Sequence, residues 1–255
     1  MEYTCNNMVN LRGVDFGGGT FRRIVSIVPE VKTEAVQQLA QALAGPADAV
    51  EVCTRNYGSL SELADVLETA ECVENRTRPL ILNLNETGRD QVHLEAERAV
   101  LALTCVQKKL VDAVDISIED PELLRKVCDE TAGADLCRIT SVRVYAGIGS
   151  EDKAARQIIA MEETGADLIK AEYLANDDVD LIKAARVSER LKEESLISHP
   201  VCISMLGDVG LMQRVLADRC GCDFGYTVLA AGAEGMLLET EEQNRIMREL
   251  FYRED

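Results

Sequence analysis

Lys170 is the residue of this sequence best suited to covalent chemistry. It lies within the apolar run from Ala166 to Ala171, where a buried ammonium group is costly unless it is paired or its pKa is lowered. A lowered pKa would make the amine nucleophilic near neutral pH, as Schiff-base formation with a ketone or aldehyde requires. Two other interpretations stay open: Lys170 could face outer helices, or it could form an internal ion pair with Glu172 or Asp115.

Other polar side chains recur at every second position of short β-branched runs, so each set shares one face of a predicted strand. These sets are Glu51, Cys53 and Arg55; Asn83 and Asn85; Asp115 and Ser117; and Lys170 and Glu172. Arg214 adds a planar guanidinium that can hold a carboxylate with two hydrogen bonds. The alternative for Arg214 is an exposed position on a helix.

Parallel strands would bring these residues together, and the chain has the pattern that they need. From residue 23 onward, β-branched runs alternate with stretches of near 3.6-residue periodicity, and no linker separates domains. The predicted strands are Arg23–Pro29, Ala49–Arg55, Pro79–Asn85, Ala113–Ile118, Leu136–Tyr145, Asp167–Tyr173, Pro200–Met205 and Phe224–Ala230. The predicted helices are Thr33–Ala44, Ser59–Val73, Gln91–Leu110, Pro121–Thr131, Glu151–Thr164, Asp178–Glu194, Leu211–Arg219 and Glu241–Tyr252.

This alternation predicts an α/β fold, a (β/α)8 TIM barrel, whose chemistry sits at the C-terminal ends of the strands. We expect residues 23–255 to form one barrel domain, with residues 1–22 as an N-terminal extension. An open, doubly wound sheet is the alternative, although it usually has fewer strands and a glycine-rich first crossover.

Composition restricts the possible partners. The 255 residues carry 27 Lys and Arg against 45 Asp and Glu, a net charge of -18, which repels nucleic acids and anionic membrane surfaces. The nine cysteines are an odd number and include no CxxC pair, which argues against a disulfide scaffold or a zinc ribbon. No apolar leader or spanning segment is evident. We therefore expect a cytoplasmic protein without a metal.

Two segments carry a resemblance to a known family. Gly165 to Ala171, with Lys170 inside it, and Ile203 to Met205 followed by Gly210 and Arg214 resemble the lysine strand and the arginine segment of type I 3-dehydroquinate dehydratase. Phe224-Gly225 is similar to the start of that family's last strand. Weaker similarity covers Val50-Glu51-Val52, Pro79-Leu80-Ile81 and Val114-Asp115-Ile116.

The resemblance implies a (β/α)8 lyase. Lys170 would form an imine with a small anionic keto-carboxylate, and elimination or aldol cleavage would follow through an enamine. It implies that Arg214 holds the substrate carboxylate and that Glu51 contacts substrate hydroxyls, with Arg55, Glu86 and Glu172 as further substrate-binding residues. It also implies a homodimer, and neither a metal nor an organic cofactor is required.

The sequence departs from the family at several positions. The family's acid–base histidine after the fifth strand is absent from 142–149, and the chain's two histidines, His93 and His199, fall elsewhere. We predict Tyr145 as the replacement proton carrier, and Glu172, Glu86 and Glu51 are the other candidates for this role. Cys53 stands where the family has an arginine, and Asn85 replaces another. Two alternatives are thus a homologue that binds a ligand or partner without turnover, and a phosphate-binding barrel isomerase or synthase.

Overall fold

Eight parallel strands form the centre of the molecule, which we describe from a computed structural model that covers residues 7–71, 76–85, 93–229 and 239–251. The strands are β3 (Arg22–Ile27), β4 (Ala49–Cys53), β5 (Leu80–Asn83), β6 (Ala113–Ser117), β7 (Cys137–Val144), β8 (Leu168–Leu174), β9 (Val201–Leu206) and β10 (Phe224–Val228). Their order around the sheet is β10-β3-β4-β5-β6-β7-β8-β9. The predicted (β/α)8 barrel is confirmed.

The barrel is nearly closed, and its seam lies between β9 and β10. Just before β10, the Asp223 amide donates to the Val201 carbonyl oxygen at 2.9 Å. The carboxylate of Asp223 accepts from the Val201 amide at 2.8 Å and pairs with Lys192 at 2.8 Å. Side-chain and main-chain bonds thus join the two strands where the regular ladder is interrupted.

Each barrel strand is followed by a helix that covers the outside of the sheet. The helices are α1 (Lys32–Ala44), α2 (Leu60–Glu71), α3 (Glu95–Gln107), α4 (Pro121–Glu130), α5 (Glu151–Glu162), α6 (Asp178–Glu193), α7 (Leu211–Val215) and α8 (Thr240–Phe251). Carboxylate and hydroxyl side chains cap several N-termini, including Asp120, Ser150 and Asp177. Helix α7 is shorter than predicted, because the chain from 216 to 221 continues in turns. No helix of the described ranges is long and apolar enough to cross a membrane.

Apolar side chains fill the barrel interior in layers of four, each supplied by alternate strands. One layer near the N-terminal end of the barrel consists of Ala49, Ala113, Leu168 and Phe224. The layer above it comes from the other four strands and consists of Ile24, Ile81, Ile139 and Cys202. All eight are buried. The next layer, Glu51, Asp115, Lys170 and Tyr226, is the first that carries charge.

A short antiparallel hairpin packs at the N-terminal end of the barrel. It consists of β1 (Val9–Leu11) and β2 (Val14–Phe16), in the region predicted as an extension. Phe16 is fully buried and its ring meets that of Phe224 edge-on, 5.9 Å between centroids. The hairpin therefore covers the end of the barrel opposite the polar layers.

Candidate active site

A polar cavity opens above the charged layer, at the C-terminal ends of the strands. This is the end of a barrel at which catalytic groups are found. It is lined by Cys53, Arg55, Asn83, Asn85, Ser117, Ser141, Val142, Arg143, Lys170 and Glu172. The period-two sets identified in the sequence thus converge on one space, because alternate residues of each strand face the barrel axis.

Lys170 forms the floor of this cavity. Its ammonium Nζ lies 3.2 Å from Glu51 Oε2 and 3.1 Å from Asp115 Oδ2, and it sits 4.0 Å from the centroid of the Tyr226 ring. The three partners come from β4, β6 and β10, alternate strands of the barrel. Lys170 therefore points inward, and the interpretation that it faces the outer helices is wrong.

The charge state of Lys170 differs from the sequence-based expectation. Burial lowers its pKa, but the carboxylates of Glu51 and Asp115 and the Tyr226 ring outweigh burial, so the pKa is raised well above its usual value. The lowered pKa that Schiff-base formation would favour is therefore not found, and the alternative of an internal ion pair with Asp115 is confirmed. Lys170 rests as an ammonium ion within an ion pair, and it must lose a proton before it can act as a nucleophile.

The two carboxylates beside Lys170 have different environments. Burial opposes ionisation of Glu51, but Lys170, Ser26 and Asn83 outweigh it, and its pKa is lowered. Burial dominates at Asp115, whose pKa is raised despite Lys170 and despite hydrogen bonds from Ser141 at 2.5 Å and Asn85 at 2.9 Å. Of the two carboxylates, Asp115 is thus the one that more readily accepts the proton that Lys170 has to lose.

A second ion pair lies at the cavity wall and was not predicted. Arg143 on β7 donates from Nε at 2.9 Å and from Nη2 at 2.8 Å to the same oxygen, Oε2 of Glu172. Residues 143 and 172 are register partners in the parallel ladder of β7 and β8. Arg143 lies two residues after Ser141, so period-two alternation along this strand was the signal that could have placed it in the site.

Arg214 is buried close to the end of β9. Its Nη1 donates to the Met205 carbonyl oxygen and, at 3.0 Å, to that of Gly207. Its Nε has no hydrogen-bond partner among the described residues. Burial lowers its pKa to about 10. The alternative of an exposed helix residue is wrong, because Arg214 is only 6% exposed.

The remaining predicted site residues lie in different places. Arg55 lines the cavity. Tyr145 follows β7, is 63% exposed and does not line the cavity, and Glu86 lies outside the described residues. His199 is bonded to Glu162 at 2.8 Å, at the N-terminal side of β9 and thus away from the site. No cluster of three or more potential metal ligands occurs in the described part of the chain.

Comparison with known proteins places this geometry in context. The family model described as type I 3-dehydroquinase matches residues 24–251. A 3-dehydroquinate dehydratase of Alkaliphilus oremlandii is 22% identical over 248 residues, which cover 93% of this chain and 95% of that protein.

Solved structures show the same fold. The type I 3-dehydroquinate dehydratase of Clostridium difficile, solved with covalently modified comenic acid, has a TM-score of 0.87 at 15% identity over 96% of this chain and 98% of that one. The 3-dehydroquinate dehydratase of Geobacillus kaustophilus has a TM-score of 0.87 at 14% identity, over 99% of this chain and all of that one, 100%.

Proposed function

The chain belongs to the type I 3-dehydroquinase family, and from this membership we propose that it is a Schiff-base lyase acting on a small anionic keto-carboxylate. Lys170 is the residue that forms the imine. The observation that carries the proposal is the placement of a buried lysine at the floor of a polar cavity, between two carboxylates, at the catalytic end of the barrel. A titratable group with a shifted pKa in a polar cavity is a candidate functional residue.

Imine formation follows from the charged layer. When substrate enters, the Lys170 ammonium passes a proton to Asp115, the neighbour whose pKa is raised by burial. The free amine attacks the ketone carbon and forms a carbinolamine. Asp115 returns its proton to the carbinolamine hydroxyl, which leaves as water, and a protonated imine remains beside Glu51. The positive iminium then withdraws electrons from the adjacent carbon, whose proton becomes acidic. Elimination of a β-hydroxyl or aldol cleavage proceeds through the resulting enamine.

Several residues are assigned to substrate binding in this proposal. Arg214, whose Nε is buried without a partner in the described structure, holds the carboxylate. Glu51, Arg55, Glu86 and Glu172 contact the remaining polar groups of the substrate, and Tyr145 stays the predicted proton carrier of the sequence analysis. The chemistry requires no metal or organic cofactor. A cytoplasmic location and a homodimer belong to the same proposal, the first from the cysteine pattern and the second from the family resemblance.

Borohydride trapping tests this function. The protein is incubated with 3-dehydroquinate and with a panel of keto acids, reduced with sodium borohydride, digested and analysed by peptide mass spectrometry. We expect a reduced adduct on Lys170 with at least one compound, and none in the Lys170→Ala variant. Lys153→Ala, which removes an exposed lysine of α5, is the matched control and retains the adduct. Absence of an adduct from every compound contradicts the lyase assignment.

A binding protein without turnover is the second candidate, and one observation favours it. Arg143, a guanidinium that does not deprotonate in proteins, occupies the strand on which the family's acid–base histidine is missing. A binding barrel would retain Arg214 and the cavity without imine chemistry. Calorimetric titration with the same panel separates the two: heat of binding without a trapped adduct supports the binding protein, and an adduct supports the lyase.

A further inference from the structure

An imine on Lys170 leads to product only if a proton moves at the neighbouring carbon. The pair formed by Arg143 and Glu172 stands at the cavity wall beside that position. Arg143 itself cannot carry the proton, because its guanidinium remains protonated in proteins. Glu172 can carry it, because a carboxylate both accepts and returns a proton.

The hydrogen bonds of Glu172 leave one oxygen available. Both donors of Arg143 bind Oε2, and no partner for Oε1 occurs in the part of the chain that the structure describes. Arg143 therefore fixes the orientation of the carboxylate without occupying its second oxygen. Glu172 is also the only carboxylate among the described residues that line the cavity, whereas Glu51 and Asp115 lie lower and contact Lys170.

Glu172 interacts electrostatically with both groups that would hold the substrate. It is two residues beyond Lys170 on the same strand face. Its negative charge acts on Lys170 and on Arg214, in each case favouring the protonated form. A substrate with its ketone at Lys170 would thus have the carbon next to the ketone beside the part of the cavity wall that Glu172 forms.

We propose that Glu172, oriented by Arg143, is the proton acceptor and donor of this site; the inference rests on the proposed lyase function. Oε1 takes a proton from the carbon next to the imine carbon. The electron pair of that C–H bond forms the enamine double bond, and the iminium nitrogen becomes neutral. In an elimination, the carboxylic acid form of Glu172 then gives its proton to the departing hydroxyl, which leaves as water while the iminium is restored. Glu172 is a catalytic residue here, and Arg143 is a positioning residue.

The competing proton carrier is less well placed. Tyr145 is 63% exposed and lies outside the cavity lining. A general base must come within hydrogen-bond reach of the proton that it removes, and a side chain on the cavity wall meets this requirement without movement of the chain. The assignment to Glu172 therefore replaces Tyr145 as the proton carrier in this mechanism.

Solvent deuterium exchange tests the proposal. The compound that gives the Lys170 adduct is incubated with the protein in D₂O, and NMR measures deuterium incorporation at the carbon next to the ketone. Glu172→Gln retains an oxygen acceptor for Arg143 but not the base. We expect it to reduce exchange by about 10²- to 10⁴-fold, while borohydride trapping on Lys170 changes by less than about threefold.

Further variants separate chemistry from structure. Glu172→Asp keeps the base and is expected to retain more exchange than Glu172→Gln; it also keeps the test valid if Glu172→Gln fails to fold. Arg143→Lys keeps the charge but loses the two-donor geometry, so kcat falls while KM changes little. Lys153→Ala, which changes an exposed lysine of α5, is the matched control and is expected to leave exchange unchanged. Tyr145→Phe tests the competing proton carrier.

The outcomes distinguish the two proposals. If the unmodified protein gives the Lys170 adduct and Glu172→Gln leaves deuterium exchange intact, the role of Glu172 is overturned but the lyase function is not. A large loss of exchange in Tyr145→Phe also overturns it, in favour of Tyr145. If no compound gives an adduct, the lyase function fails, and the role of Glu172 fails with it.

Discussion

Replacing Lys170 by Met tests whether the charged layer is a balanced unit. The substitution keeps most of the buried side-chain volume but removes the one cation that contacts both Glu51 and Asp115. Each of these carboxylates is at most 1% exposed, so the variant would contain two buried negative charges without a partner. Removal of one member of a buried ion pair costs about 3–5 kcal/mol, and we expect a value of about 4 kcal/mol at pH 7.

Urea unfolding measures this loss. With a slope of about 3 kcal/mol per molar urea for a chain of this size, the midpoint should fall by roughly 1–2 M. Lys153→Met, which changes an exposed lysine on α5, is the control and should shift the midpoint by less than about 0.3 M. Circular dichroism before denaturation shows whether the variant is folded.

The pH dependence gives the sharper test. In the unmodified protein, the lowered pKa of Glu51 stabilises the fold at pH values above 4.5, the ordinary pKa of a glutamate. This stabilisation is lost as the pH falls through the folded-state pKa of Glu51. The raised pKa of Lys170 stabilises the fold at pH values below 10.5, the ordinary pKa of a lysine. This stabilisation is lost as the pH rises through the folded-state pKa of Lys170.

In Lys170→Met, both buried carboxylates have raised pKa values, so the penalty is greatest at neutral pH and is relieved on acidification. The difference between the variant and the unmodified protein should therefore shrink between pH 7 and pH 5. An equal free energy of unfolding at pH 7, or a difference that grows on acidification, would refute the account of the charged layer.

Three further predictions concern packing and reactivity. Gly147→Ala should cost about 1–3 kcal/mol in urea unfolding, because the new Cβ overlaps the buried carboxylate of Asp180; Gly149→Ala, whose Cβ meets nothing within 4 Å, should cost nothing measurable. Tyr226→Phe should leave the free energy of unfolding equal or raise it by up to about 1 kcal/mol, because the buried hydroxyl has no partner in the described structure; a clear loss contradicts this. Cys53, whose pKa burial raises to about 12, should resist iodoacetamide at pH 8 until urea unfolds the protein, and mass spectrometry of the alkylated peptide checks this.

Most of the fold could be predicted from local patterns. Each barrel strand was found within one or two residues of its observed start, because buried parallel strands are short, continuous β-branched runs that stand out between amphipathic helices. The end of α7 was missed: residues 216 to 219 have helix-compatible composition, yet the chain turns there towards the barrel seam. Local propensity does not include that tertiary requirement.

The site was predicted only in part, and Arg143 shows the reason. The family has a histidine on this strand, so the resemblance did not indicate an arginine at this inward position. Its partner Glu172 was expected to bind substrate, but their pairing depends on the register between β7 and β8. Register is set by the closure of the whole barrel, and neither strand specifies it alone.

The sequence by itself determined which residues of each strand share a face, because alternation along a strand has a fixed period of two. It thereby selected Lys170, Glu51 and Asp115 as members of one polar end. Only the tertiary structure decided that these three form a single layer, since their strands are far apart in the chain. The charge on Lys170 depended on this as well: burial favours the neutral amine, and carboxylates brought from two other strands reverse that preference.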